Sequence, residues 1–473
     1  MKRVLTLRTV IATSAGITLA TSSFVMAAQV AGFLAGDSAW LAILICGVLC
    51  LLAAACFSEL NSILPSAAGI RLYLGKAFGD NVALTFSLIY MLLIILVVGA
   101  ESFILSQTLS YAIPQVAPVI WITLMLAAVT LMNIRGVKVA GTFQDIVTYV
   151  VIISIVLISL IGLNQVHWRL AAPLATGGAS GLIQAVAVGV FLFIGFEWVT
   201  PLAEEVTESR IIARGMFITV GIVSIVYALF TAALTSNLPR AAFLHLSQIS
   251  SLAGVNPITQ VLLAQKVLGE TGLVWIVLVC LFCSFGTFNA GLLGSSRFFY
   301  ATAREHALPP VFSRISMKYM TPWVASIAVF VIGYASSLAI LYSHNFLTVM
   351  NMGAVTECVI YVLSAAAVLV LRKKMADAPR AFKVPFGWVI PGFAMLIFTL
   401  LAVAIIASGL SIGYWMAAGL AVIGLYVVLV VPRIKEKYKV KRTPRRRKTS
   451  GTEASVGPAP GAIPAVEKGG DRL

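Results

Sequence analysis

The chain has 473 residues, 60% of them hydrophobic and 11% charged, with 33 Lys and Arg against 17 Asp and Glu. Soluble domains are about a quarter charged, so a chain of mean hydropathy +1.01 cannot build a water-facing surface, and a soluble enzyme is excluded. Part of the +16 lies in a tail from Pro432 onward with 12 basic and 4 acidic residues, which suits the anionic leaflet of a membrane, so lipid and not nucleic acid is the expected partner.

A membrane-spanning helix needs about 20 mostly apolar residues. Twelve runs qualify: 9–34, 39–63, 82–112, 118–134, 142–164, 181–203, 213–237, 271–301, 322–342, 347–371, 387–409 and 411–431. Met1-Lys2-Arg3 ahead of an apolar stretch and Val25-Met26-Ala27 has the outline of a secretory signal. The hydroxyls of Thr13, Ser14, Thr18, Thr21, Ser22 and Ser23 make the stretch too polar for a signal core, so it is read as the first span. With the N-terminus inside, alternate loops and helix ends place 30 of the 33 basic residues on the cytoplasmic side, leaving Arg169, Arg240 and Lys266 outside. Both termini are therefore expected in the cytoplasm of a cell-membrane protein, with residues 1–8 as a cytoplasmic N-terminus and 432–473 as a disordered basic tail. The longest external loop, about 238–270, is expected to carry short helices. The six cysteines all lie in apolar runs and read as small buried hydrophobes.

Two spans depart from plain membrane helix at matching depth. In helix 1, residues 14–23 concentrate small and hydroxyl side chains; in helix 6, Ile194-Gly195-Phe196-Glu197 puts a glycine and a carboxylate at mid-membrane. Helix 1 runs outward and helix 6 inward, as an inverted repeat of five helices requires. Broken helices there expose backbone groups that lipid cannot satisfy, so they belong where a cavity takes over. The outer half of helix 1 would offer N–H groups to an anion, and the carbonyl end of helix 6 would offer acceptors to an ammonium group.

The residues Cys56-Phe57-Ser58-Glu59-Leu60, Pro65, Ala68-Gly69-Ile70, Tyr73 and Lys76-Ala77-Phe78-Gly79 resemble the cytoplasmic signature of the amino acid/polyamine/organocation permeases. Further matches are Asn133-Ile134-Arg135-Gly136-Val137-Lys138, Gly195-Phe196-Glu197 with Ala203-Glu204-Glu205-Val206, residues 301–309, and Leu371-Arg372-Lys373 with Arg380-Ala381-Phe382-Lys383-Val384-Pro385. The resemblance spans residues about 8 to 430. It implies an all-α integral membrane protein of twelve helices in a leucine-transporter-like fold: inverted five-helix repeats at 9–164 and 181–371, then two extra helices at 387–431. It also implies a permease for an amino acid or, alternatively, a polyamine or small amine, working as monomer or homodimer without a cofactor or metal.

The family's Gly-Ser-Gly-Ile break, whose amides hold a substrate carboxylate, is replaced here by Ala20-Thr21-Ser22-Ser23, followed by the family's aromatic at Phe24. Both glycines are gone, so side-chain hydroxyls enter the expected site, and an ordinary α-amino acid as substrate is open to question. Phe191 falls at the family's aromatic gate, Ile194 and Gly195 at the unwound turn, and Glu197 at the acid that props it. Helices 3, 8 and 10 are expected to wall the pocket.

Acids kept in membrane helices are functional candidates because they are costly there. Glu101, Glu197 and Glu357 are candidates for coupling or for neutralising substrate charge, while Glu59, near a helix end, is expected to pair with a loop arginine. Ser284 and Thr287 are candidates for an ion site. Val151 stands where some proton-coupled relatives carry a lysine. No phosphate-binding Gly-rich loop is present, so transport would draw on a gradient or on exchange. Gly178-Ala179-Ser180-Gly181 matches an intramembrane serine protease motif but is expected in an external loop, and His167, His245, His306 and His344 all lie at ends or in loops. No catalytic residue is assigned. A channel and a nontransporting receptor are the remaining classes; a receptor would bind without accumulating.

Overall fold

The computed structural model describes residues 6–66, 69–135, 140–166, 178–204, 206–208, 210–238, 259–343 and 345–442. The chain is all-α there. In order, the helices are α1 (Leu7–Thr18), α2 (Thr21–Gln29), α3 (Ala39–Ile63), α4 (Ile70–Phe78), α5 (Asp80–Ala112), α6 (Pro118–Arg135), α7 (Ala140–Gln165) and α8 (Gly178–Gly189). They continue with α9 (Arg210–Asn237), α10 (Thr259–Leu268), α11 (Glu270–Arg304), α12 (Trp323–Ser343), α13 (Phe346–Lys374), α14 (Val389–Ser408), α15 (Leu410–Leu425) and α16 (Val431–Arg442). Among the described residues 11 helical segments are long and apolar enough to cross a bilayer, and α1 with α2 makes one more span, bent by 57°.

Helices are the form this composition must take, because each satisfies its backbone hydrogen bonds internally. The hydroxyls among them are handled in the same way: Thr18, Ser58, Thr130, Ser159, Ser224 and Thr231 each donate to the carbonyl four residues back. Layering follows burial. The span Gly178–Thr200 is 72% buried in its most apolar window and sits at the centre, whereas Leu410–Lys437 is 11% buried and faces outward. α1 packs on α9, α7 and the 3-10 segment Phe196–Glu204, while α2 packs on the 3-10 turn Val190–Phe193, so the two interrupted spans lie against each other.

The signature residues after the second span form a structural lock. Glu59 is fully buried and takes a bidentate pair from Arg372 at the end of α13, Nε to Oε1 at 2.7 Å and Nη2 to Oε2 at 2.5 Å. Val384 N–H donates to Oε2 at 2.7 Å, and the loop residue Arg380 stands 3.6 Å from Oε1. The principal partner is thus a helix-end arginine, with the expected loop arginine second. Two motifs more than 300 residues apart are one cluster, which fastens α3 to α13.

Three expectations change. The chain from Val431 to Arg442 is helical (α16) rather than disordered, following α15 through the π-turn Tyr426–Val430. The Gly178-Ala179-Ser180-Gly181 motif is the first turn of α8 and not a loop. No residue of α13, the tenth span, lines the cavity described below; it backs the wall instead. The tail from 443, residues 239–258 with His245, and Gly136 to Lys138, Arg169, Arg240, His167 and His344 lie outside the described residues.

Removing one member of a buried ion pair leaves the other charge uncompensated, at about 3 kcal/mol or more. Glu59→Ala is therefore expected to lower the thermal midpoint of the detergent-purified protein far more than Glu305→Ala, whose carboxylate is half-exposed. Equal midpoints for the two variants would show that the lock does not hold the bundle.

Candidate functional site

α1 ends at Thr18 and α2 starts at Thr21. Leu19 (φ −82°, ψ 63°) and Ala20 (φ −86°, ψ 153°) between them are not helical, although neither is glycine. The first amides of α2 consequently have no partner within their own helix. Glu101 of α5 supplies it: Thr21 N–H donates to Oε1 at 2.8 Å and Ser22 N–H to Oε2 at 2.7 Å. Ser284 of α11 donates to Oε1 at 2.6 Å, and Thr21 Oγ1 lies 3.0 Å from Ser284 Oγ and 3.2 Å from the Cys280 carbonyl. Amides and the positive end of a helix dipole both favour a carboxylate at this point. Glu101 is fully buried.

The second break has a different local cause. α8 tightens into the turn Val190–Phe193, leaves helix at Ile194 and Gly195, and resumes as the 3-10 segment Phe196–Glu204. Gly195 has φ +110°, a conformation that disfavours any side chain, and a Cβ there would sit 2.5 Å from Ile17 Cγ2. A 3-10 run of nine residues is unusually long, as expected of a segment held by tertiary contacts rather than by its own geometry. Glu197 holds it: Oε2 accepts the Gly195 N–H at 3.3 Å, and Oε1 accepts the Tyr90 hydroxyl. Trp198 Nε1 in turn donates to Tyr90 Oη at 2.6 Å.

The breaks are stitched together. Ser14 Oγ donates to the Phe196 carbonyl at 3.0 Å, and Tyr227 Oη donates to the Thr18 carbonyl at 3.0 Å. Tyr90 and Glu101 both belong to α5, eleven residues apart, which is about three turns and so the same helix face. One helix therefore serves both breaks.

Between them lies a small cavity. Ile17, Ala20 and Ser23 line it from the first span, Phe191, Ile194 and Trp198 from the second, Leu93, Ile94, Val97 and Val98 from α5, and Thr287 from α11. Only Ser23, Trp198 and Thr287 bring side-chain polar atoms, and Thr287 donates its hydroxyl to the Cys283 carbonyl. Phe191 is held in place from behind by Gly353 of α13, where a Cβ would come within 3.1 Å of its ring.

Of the residues singled out in the sequence, Ala20, Ser23, Phe191, Ile194 and Thr287 line the cavity and Gly195 forms its hinge. Thr21 and Ser22 turn their amides to Glu101, and Ser22 Oγ is buried without a hydrogen-bond partner. Ser284 is engaged by Glu101 rather than facing Thr287 across an open site. Glu357 of α13 is fully buried, with Glu197 and Tyr361 as its polar neighbours. Tyr90 and Trp198 were not anticipated. The position of Trp198 directly after Glu197, and the three-turn spacing of Tyr90 from Glu101, are the sequence signals that carry them.

Among the described residues, up to twelve spans, two of them interrupted against each other around a small cavity, are the architecture of a multi-pass membrane protein. The amino acid permease family matches residues 5–429, and the chain belongs to that family, among the secondary active transporters of the amino acid/polyamine/organocation superfamily. It is 24% identical over 392 residues to the branched-chain amino acid permease BcaP of Bacillus subtilis, covering 76% of this chain and 79% of that one. It is 24% identical over 440 residues to the methylthioribose transporter of the same organism, covering 87% and 90%, and 23% identical over 402 residues to the human cystine/glutamate transporter, covering 82% and 77%. Among solved structures, a manganese transporter variant of Eremococcus coleocola is similar in fold, with TM-score 0.57 over 92% of this chain and 94% of that one at 13% identity.

Gly195→Val is expected to abolish uptake while leaving membrane yield intact, because both its backbone angle and the Ile17 contact forbid a branched side chain. Gly221→Val, on α9 where a Cβ meets nothing within 4 Å, serves as the control. Ser22→Leu should behave like Gly195→Val. Normal uptake in Gly195→Val and Ser22→Leu would remove the breaks from the mechanism.

Proposed function

We propose that this chain carries a small amine-bearing organic solute across the plasma membrane by alternating access, with its substrate site at the two breaks. The single observation that carries this reading is the meeting of two interrupted spans around a small cavity. Interrupted helices in lipid are sustained only where protein or cavity replaces the missing backbone partners. The relatives' names add support, since they describe carriers of small organic solutes.

In this reading the spans from α1 to α7 and from α8 to α13 are the inverted five-helix repeats, each opening on its broken member, and α14 and α15 are the two extra helices. Both termini are cytoplasmic, in keeping with the distribution of Lys and Arg. Phe191 closes over the cargo from the outer side; Ala20, Ser23, Ile194 and Gly195 form its bed with Thr21 and Ser22 behind. The hydroxyl of Ser284 ties α11 to this bed through Thr21 and Glu101, and that of Thr287 is taken by its own helix, so neither is assigned to a sodium ion.

Coupling to protons, or exchange linked to them, is assigned to Glu197 and Glu357. Both acids are fully buried within the spans, where a charge is costly, so a change in their surroundings as the site opens and closes would link proton binding to transport. In proteoliposomes offered labelled leucine, putrescine and isoamylamine in parallel, accumulation is expected to follow an imposed pH gradient and to ignore a sodium gradient. Glu357→Gln should lose the response to pH while retaining exchange of internal for external solute. Accumulation that tracks sodium alone would overturn proton coupling; binding of solute with no accumulation would mark a receptor instead.

A further inference from the structure

The geometry points to a cargo without an α-carboxylate: Glu101 occupies, from within the protein, the anion-binding end of the broken first span. This inference rests on the transporter reading and names its substrate class.

An amino acid bound across two broken helices must set its carboxylate on free N–H groups at a helix N-terminus. The only such groups at the start of α2 are those of Thr21 and Ser22, and each is already paired with one oxygen of Glu101, at 2.8 and 2.7 Å. Ser284 adds a third donor at 2.6 Å, so the Glu101 carboxylate is seated as a bound carboxylate would be. A substrate carboxylate would have to expel it into surroundings with no compensating cation. Among the described residues the buried ionisable side chains in the spans are acids, with no Lys, Arg or His buried. Two carboxylates competing for one set of amides would also repel each other.

For an ammonium group the same surroundings are complementary. The ends of α1 and of the turn Val190–Phe193 present the carbonyl poles of two helices, which attract a cation, and Glu101 leaves the interior with an excess of negative charge. The cavity wall is otherwise apolar apart from Ser23, Trp198 and Thr287. A primary amine with a compact hydrophobic body fits these walls better than a long polyamine, whose second ammonium would have to be buried against aliphatic side chains.

The test compares matched pairs on the purified full-length chain: isoamylamine against leucine, and 2-phenylethylamine against phenylalanine, each differing by one carboxylate. Binding followed by thermal shift and by displacement of labelled isoamylamine is expected to favour the amine at least about tenfold in each pair. Glu101→Ala vacates the amides, and amine binding should fall at least about tenfold while leucine binding appears. Acetate, the fragment that the truncation removes, should then restore amine binding to the variant and do nothing to the wild type. Tighter binding of leucine than of isoamylamine by the wild type overturns the inference and leaves the transporter reading standing. Failure of the wild type to bind either amine also overturns it. Isoamylamine that is bound but never accumulated in proteoliposomes supports the inference and overturns transport. The wild-type comparison decides the matter even where Glu101→Ala does not fold.

Discussion

A backbone N–H left open inside a bilayer has no water to turn to, and the cost runs to several kcal/mol. The two interrupted spans answer to that constraint. At both interruptions the answer is the same: a glutamate accepts the stranded amides, Glu101 for Thr21 and Ser22, and Glu197 for Gly195. The rest of the centre is arranged around these two acids. Ser284 and Tyr90 orient them, Trp198 orients Tyr90, and α5 carries one acid and the orienting tyrosine of the other on a single face.

This arrangement explains why a chain so poor in charge keeps carboxyls in its interior. Glu59 belongs to a lock between the ends of α3 and α13, where cations answer it. Glu101 and Glu197 are answered by backbone and hydroxyls. Glu357 lies beside Glu197 and Tyr361, an acid and a phenol rather than a cation or a main-chain amide. The four residues thus differ in what satisfies them, and that difference separates scaffold from site more sharply than depth in the membrane does.

Much of the architecture could be read from the chain alone because lipid simplifies the code. Each of the twelve apolar runs carries a helix, since a run of that length has no other way to pair its backbone. The second break was legible at Gly195, a residue whose conformational freedom is needed where it stands. The first was legible as an unusual density of Ser, Thr and Ala and, through the family resemblance, at Ala20 to Ser23, beside the observed non-helical Leu19 and Ala20, although no local residue demands it there. The role of Glu101 was hidden for a related reason: its partners are main-chain amides 79 and 80 residues away, and amides leave no trace in a sequence. The helical course of 431–442 was masked by its Lys and Arg, which read as a solvated tail although Val427 and Val431 are buried against Leu84 and Ala307.

The lack of glycine at the first break has a consequence for what each bend depends on. Leucine and alanine are good helix formers, so the residues at the first break do not themselves require a bend; it is held by Glu101 of α5, which accepts the two amides. The second broken span differs, because Gly195 itself adopts the backbone conformation that its bend needs. One bend thus belongs to the residue that makes it, and the other is on loan from a neighbouring helix.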